Sequence, residues 1–140
     1  MAIFPEGWGF EITDLSHLIV VPLDLNQVMK NSVSYALMPD DALGLYYKDS
    51  IKKGAGGLIL TSDETQVLFA YGDDPTTAGK EGFEEGETMN FRVWSHASGE
   101  EFDVQVGFDP DQPNSDGKFQ NNGLSALTSI ELLTSTQMLS

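Results

Sequence analysis

From Thr88 to Phe108 apolar and polar residues alternate with a period of two, broken once by the short stretch Ala97-Ser98-Gly99-Glu100. A period of two is the mark of an extended strand with unlike faces, and a short loop with a glycine free to take positive φ joins two such strands into a hairpin. The alternation assigns Met89, Phe91 and Val93 to one face, to meet Phe102, Val104, Val106 and Phe108 across a core, and turns Arg92 and Trp94 the other way.

Similar runs recur along the chain while helical periodicity is nearly absent, which predicts strands at Gly9–Thr13, His17–Pro22, Leu43–Lys48, Gly57–Leu60, Gln66–Tyr71, Thr88–Ser95, Glu101–Phe108 and Thr128–Leu133. Seven or more short strands joined by turn-rich loops predict an all-β fold, a single-domain antiparallel β-sandwich of jelly-roll or immunoglobulin-like type spanning residues 1–140. Val67-Leu68-Phe69-Ala70 is apolar on both faces and reads as a central strand. Residues Leu25 to Met38 read both ways: Leu25, Val28 and Met29 fit a helical turn, whereas Val33, Tyr35 and Leu37 alternate like a strand. Asp109 to Gly117 is a polar loop whose two prolines forbid ladder pairing and whose Asp-Gly closes a turn, and the tail from Thr134 reads as frayed.

A length of 140 residues suffices to bury a core, so the absence of cysteine costs the fold nothing and says nothing about compartment. The 22 acidic and 7 basic residues give a net charge of −15, which repels nucleic acid and anionic membrane and favours a cation partner. No run approaches the roughly 20 apolar residues of a membrane helix, and Met1 to Gly9 lacks the basic and apolar regions of a signal peptide. A cytosolic protein and an exported one whose signal has been removed both fit.

Calcium takes six to eight oxygens, and the turn Gly72-Asp73-Asp74-Pro75 offers carboxylates and carbonyls together. Asp73 and Asp74, completed by Glu85, Glu87 or the loop residues Asp109, Asp111 and Asp116, form the candidate calcium set; carboxylates that are simply solvated in surface turns account for the same pattern. The Asp109 loop is no EF-hand, since Pro113 occupies a ligand position. On the face opposite the core, Trp94 offers a ring for a sugar, with Arg92 and Asn90 to bond its hydroxyls; packing or a cation–π contact from Arg92 competes with that role. Trp8 and Tyr46 read as packing residues. His17 lies within an apolar strand and reads as a hydrogen-bonded structural residue, His96 lies in a turn, and no nucleophile, phosphate-loop or zinc motif accompanies them, so no catalytic residue is assigned. Strand edges at Gly9–Thr13 and Thr128–Leu133 are candidates for pairing with a neighbour, and Gly54-Ala55-Gly56-Gly57 suits either a close backbone approach or a tight turn.

The order Trp8, Thr13, His17-Leu18-Ile19-Val20, Asp41-Ala42-Leu43-Gly44-Leu45-Tyr46-Tyr47, Gly56-Gly57, Tyr71-Gly72-Asp73-Asp74, Gly82-Phe83, Gly86-Glu87, Phe91-Arg92-Val93-Trp94 and Asn122-Gly123-Leu124-Ser125 resembles a repeating all-β module of large secreted, surface-attached proteins of Bacteroidetes-type bacteria. The likeness spans roughly residues 8 to 130; Pro39-Asp40-Asp41 stands where the module has Gly-Asp, and Tyr71 where it has Trp. The resemblance implies an all-β module of cell-surface or extracellular proteins with no enzymatic activity attached to it; with the candidate strand edges, it predicts a structural or adhesive module that self-associates or joins other surface proteins. A carbohydrate-binding module with an exposed aromatic face is the alternative.

Overall fold

The computed structural model describes residues 4, 7–22, 27–30, 33–36, 40–49, 51–61, 65–96 and 98–133. Among them there is no helix but nine strands: β1 (Ser16–Val21), β2 (Gln27–Lys30), β3 (Val33–Ala36), β4 (Ala42–Asp49), β5 (Ile51–Ile59), β6 (Gln66–Tyr71), β7 (Asn90–Trp94), β8 (Glu101–Phe108) and β9 (Leu124–Leu133).

β5, β4, β7, β8 and β9 are successive antiparallel neighbours. At β9 the sheet forks. Leu124 to Ala126 lie parallel beside β1, whose other edge carries β6 antiparallel, while Glu131 and Leu132 lie parallel beside β2, which carries β3. The main branch curls until β5 and β6 meet without ladder bonds, so that a Cβ added at Gly56 would fall 2.2 Å from the Phe69 carbonyl oxygen. Gln66 bridges this seam: its oxygen accepts the Thr61 N–H (2.8 Å) and its amide donates to the Ile59 carbonyl (3.0 Å). The result is one nearly closed, barrel-like sheet around Ile19, Leu43, Leu45, Tyr47, Leu68, Phe83, Phe91, Val93, Phe102, Phe119, Leu127 and Ile130.

The hairpin is formed as the alternation predicts. Arg92 lies opposite Asp103 and Val93 opposite Phe102, Gly99 takes φ 72°, and Met89, Phe91, Val93 and Phe102 face the core with Val104, Val106 and Phe108 packed against it.

Four expectations are corrected. Residues 9–13 form no strand; Gly9 and Phe10 lie against the outer face of β5. β6 is not central, since β1 is its one ladder partner: Leu68 and Ala70 point inward while Val67 and Phe69 are exposed, and the two-faced apolar pattern reflects an apolar outer surface. Thr128–Leu133 is no edge, because β8 flanks it on one side and β2 on the other. In the ambiguous region, 27–30 and 33–36 are strands rather than helix, and the parallel pairings of β9 with β1 and β2 make the sheet mixed rather than purely antiparallel. The tail from Thr134 lies outside the described residues.

Candidate functional site

The outer face of β5, β4, β7 and β8 is built around an arginine. Alternation turns Tyr46, Arg92 and Asp103 outward at adjacent registers, and Lys52 joins them from β5. This face is not open, because residues 7–10 cross it as a strap. Trp8, 1% exposed, inserts against Gly44, and Arg92, 3% exposed, is clamped between the Trp8 ring (4.6 Å) and the Tyr46 ring (5.2 Å). Glu101 accepts the Trp8 indole N–H (2.8 Å) and lies 3.8 Å from the guanidinium, which also donates to the Gly7 carbonyl (3.2 Å). Lys52 reaches Asp103 at 2.5 Å and Glu101 at 3.5 Å, and the Tyr46 hydroxyl donates to Asp103 (3.2 Å). Burial, reinforced by the Asp103 carboxylate, pushes the Tyr46 phenol up to about 12, and burial lowers the Arg92 guanidinium against the opposing pull of Glu101.

Glycines make room for the strap. A Cβ on Gly44 would lie 2.6 Å from the Trp8 ring, one on Gly54 2.4 Å from the Gly9 carbonyl oxygen, and one on Gly57 2.9 Å from the Phe4 ring. The run Gly54-Ala55-Gly56-Gly57 is therefore a close-approach surface within β5, not a turn.

Beside the strap lies a cleft of about 640 Å³, lined among others by Phe10, Glu11, Lys52, Lys53, Lys80 and Glu81. Phe10 also belongs to an aromatic row, stacked on Tyr71 (5.8 Å, 15°), which is stacked on Phe69 (6.3 Å, 22°). Phe69 is 41% exposed and its neighbour Val67 38%. Sequence reading missed this row; its signal was the apolar outer face of Val67-Leu68-Phe69-Ala70, read there as burial on both sides.

The candidate sugar-binding residues share a face but no cleft. Arg92 is under Trp8, half-buried Trp94 meets His96 edge-on (5.5 Å), and Asn90 donates to the Tyr46 carbonyl (3.2 Å) beside a separate 360 Å³ cleft that also takes in Asp116. Arg92 thus makes its cation–π contacts with Trp8 and Tyr46, not Trp94.

The candidate calcium carboxylates are occupied as loop staples. Asp73 accepts the Glu81 N–H (3.0 Å); Asp74 accepts both the N–H (2.8 Å) and the hydroxyl (2.6 Å) of Thr76, which hold its carboxyl below the usual range. Glu87 accepts the Glu84 N–H (2.9 Å) and the Lys80 ammonium (2.7 Å); burial works against that ammonium, but Glu87 and Glu84 outweigh it and raise its pKa. Glu85 accepts the Asn121 N–H (3.0 Å), Asp109 that of Asp111 (2.9 Å) and Asp116 that of Lys118 (3.1 Å). Asp73, Glu84 and Glu85 share the rim of a 230 Å³ pocket floored by Phe83 and Phe119, although among the described residues no three carboxylate or imidazole groups converge as a ligand set.

His17 is fully buried. Its Nδ1 accepts the Gln120 N–H (3.1 Å), so the ring is neutral and Nε2 carries the proton donated to Ser125 Oγ (2.8 Å), whose own hydroxyl donates to the Asn114 carbonyl (2.6 Å). Burial lowers its pKa. Gly123 lies against this ring, where a Cβ would be 2.5 Å from Nδ1, and Asn122, at φ 63°, donates its N–H to the Ser16 carbonyl (2.7 Å). Close by in the chain, Thr13 donates to the Gly72 carbonyl (2.7 Å) and Gly72 to the Leu15 carbonyl (2.8 Å). Thr13, His17, Gly72, Asn122, Gly123 and Ser125 therefore serve as structural ties around β1. Among the described residues no helix is long and apolar enough to cross a membrane. No protein family, curated protein or solved structure matches the chain.

Proposed function

We propose that this chain is a non-enzymatic structural and adhesive module of a bacterial cell-surface or extracellular assembly, and that it self-associates. The observation that carries the reading is the exposed apolar strip on β6, where Val67 and Phe69 face solvent and continue into Tyr71 and Phe10. Contiguous outward apolar side chains on a strand with a single ladder partner suit a contact with another protein surface. His17 and the loop carboxylates are, by contrast, held in structural bonds, the one in its buried chain and the others on backbone N–H groups. In this reading the barrel-like sheet is a pressed sandwich, the form expected of such modules, and calcium stabilises the 72–87 loop beside Asp73 and Glu85, relieving part of the self-repulsion of a chain of net charge −15. Light scattering over a concentration series tests the self-association. The native chain is expected to exceed monomer mass while Phe69→Asp stays monomeric; a strict monomer at every concentration, with and without calcium, overturns it.

A second reading, carbohydrate binding, moves from Trp94 to the near-parallel rings of Phe10, Tyr71 and Phe69 beside the 640 Å³ cleft. Retardation in polysaccharide affinity gels that Phe10→Ala abolishes and Trp94→Ala leaves intact would support it; no retardation in any gel removes it.

A further inference from the structure

We infer that the strap is exchangeable: residues 7–10 of one copy, together with Phe4, seat in the glycine-floored channel of a second copy, making the channel an intermolecular socket. The inference rests on the self-associating reading above and adds a second contact to the one through β6. Three observations carry it. The strap takes no part in any ladder, since residues 8–13 form no strand, so the sheet keeps all its pairing when the strap leaves. Its grip is a set of discrete anchors made across long sequence separations: Trp8 on Gly44, Arg92 and Glu101, the Gly9 carbonyl over Gly54, and Phe4 and Phe10 over Gly57. Each anchor is identical whichever copy supplies it. Finally, the strap joins β1 through a short link in which Glu11 and Ile12 are exposed and Thr13 is tied to the Gly72 carbonyl, so that strap and sheet are anchored independently on either side of it.

An empty channel uncovers the Arg92 guanidinium and the Gly44 backbone against which Trp8 packs and bares the Trp8 ring itself, so a vacated socket is refilled rather than left open. Exchanging an identical element between copies costs no contacts, and the competition is one of concentration. A tethered strap acts at roughly millimolar effective concentration, so exchange grows as the chain itself approaches that density, the condition of a packed surface array.

The test uses full-length chains carrying a photo-crosslinking benzoylphenylalanine at Phe10, mixed as ¹⁵N-labelled and unlabelled populations and irradiated between about 10 μM and about 1 mM, bracketing that effective concentration. Crosslinked peptides joining residue 10 to the Gly57 segment are expected to be same-label when dilute and increasingly mixed-label when concentrated, approaching equal shares. Trp8→Ala in the labelled population should cut its donation several-fold while leaving its acceptance intact. Should that variant fail to fold, the mixed-label fraction of the native chains decides alone. Only same-label crosslinks at the highest concentration overturn the inference. So do mixed-label crosslinks confined to residues outside the channel, a result that would leave self-association through β6 standing.

Discussion

Replacing the strap's glycine floor one residue at a time separates close packing from generic glycine effects. An unhindered Gly→Ala change in a strand gains about 0.5–1 kcal/mol, because the unfolded chain loses freedom. At Gly54 the new Cβ would lie 2.4 Å from one backbone carbonyl oxygen and 3.1 Å from another, the Gly9 and Trp8 carbonyls, and backbone cannot rotate aside as a side chain can. The strap must lift, at an overpacking cost of about 1–3 kcal/mol. Complete release of Trp8 from its buried site sets the ceiling at about 3–5 kcal/mol. The net expectation for Gly54→Ala is a loss of about 1–2 kcal/mol, or about 3–6 °C in melting temperature for a chain of this size. Gly44→Ala meets the Trp8 ring at 2.6 Å; that ring is clamped against Arg92, so the loss is similar or slightly smaller. Gly57→Ala meets the edge of the Phe4 ring at 2.9 Å, which can swing, and its effect is near zero. Gly9→Ala has nothing within 4 Å and no positive φ, and should be neutral or mildly stabilising. Thermal melts followed by tryptophan fluorescence read both quantities, since a lifted Trp8 shifts its emission to the red before global unfolding. A Gly54→Ala chain that melts at or above the native temperature, with unshifted emission, refutes the close-packed strap.

Acidification should weaken the fold through His17. Its pKa is lowered by burial, so below the ordinary value of 6.5 the unfolded chain takes up a proton that the folded chain refuses. Stability is then complete above 6.5 and falls with pH until the lowered value is reached, with a slope of at most about 1.4 kcal/mol per pH unit. Urea unfolding at about pH 7.5 and about pH 5.5 checks it, and a midpoint that holds or rises on acidification contradicts it. The Tyr46 phenol, buried and facing Asp103, should ionise at about 12, seen as a late phase in an ultraviolet titration that Tyr46→Phe removes; its absence from the native chain argues against the Arg92 cluster. Calcium should raise the melting temperature relative to chelator, and Asp73→Asn should reduce the rise; superimposable melts eliminate the cation role.

The strands with unlike faces were legible in advance because period-two alternation depends on nothing outside the strand. Gln66–Tyr71 and Glu101–Phe108 were predicted to the residue, and the core side of the hairpin follows from Phe91 and Val93 alone. Alternation cannot distinguish an outer face covered by chain from one left to solvent. Arg92 and Phe69 both point outward, yet Arg92 is buried under Trp8 and Phe69 is exposed, and the difference lies in where a distant segment is laid. The glycines of β5 announce a close approach but not the approaching party, which is some 45 residues away in sequence.

The acidic turns were illegible for a different reason. A carboxylate beside Gly or Pro suits a metal and suits the backbone N–H two or three residues on, and both uses select the same residues. Asp74 with Thr76, Asp109 with Asp111 and Asp116 with Lys118 all take the second course, each an i to i+2 bond that closes its own turn. A cation at the Asp73 rim must therefore use carboxylate oxygens already accepting one N–H, and gains from those that still have a lone pair facing out. Stapling and binding are compatible in this geometry, because the staple holds the carboxylate in place and removes the ordering entropy a metal would otherwise have to overcome. Of the candidate set, Asp73 and Glu85 each accept one backbone N–H and both line one pocket, so the calcium proposal is tested by substitutions there rather than at Asp74.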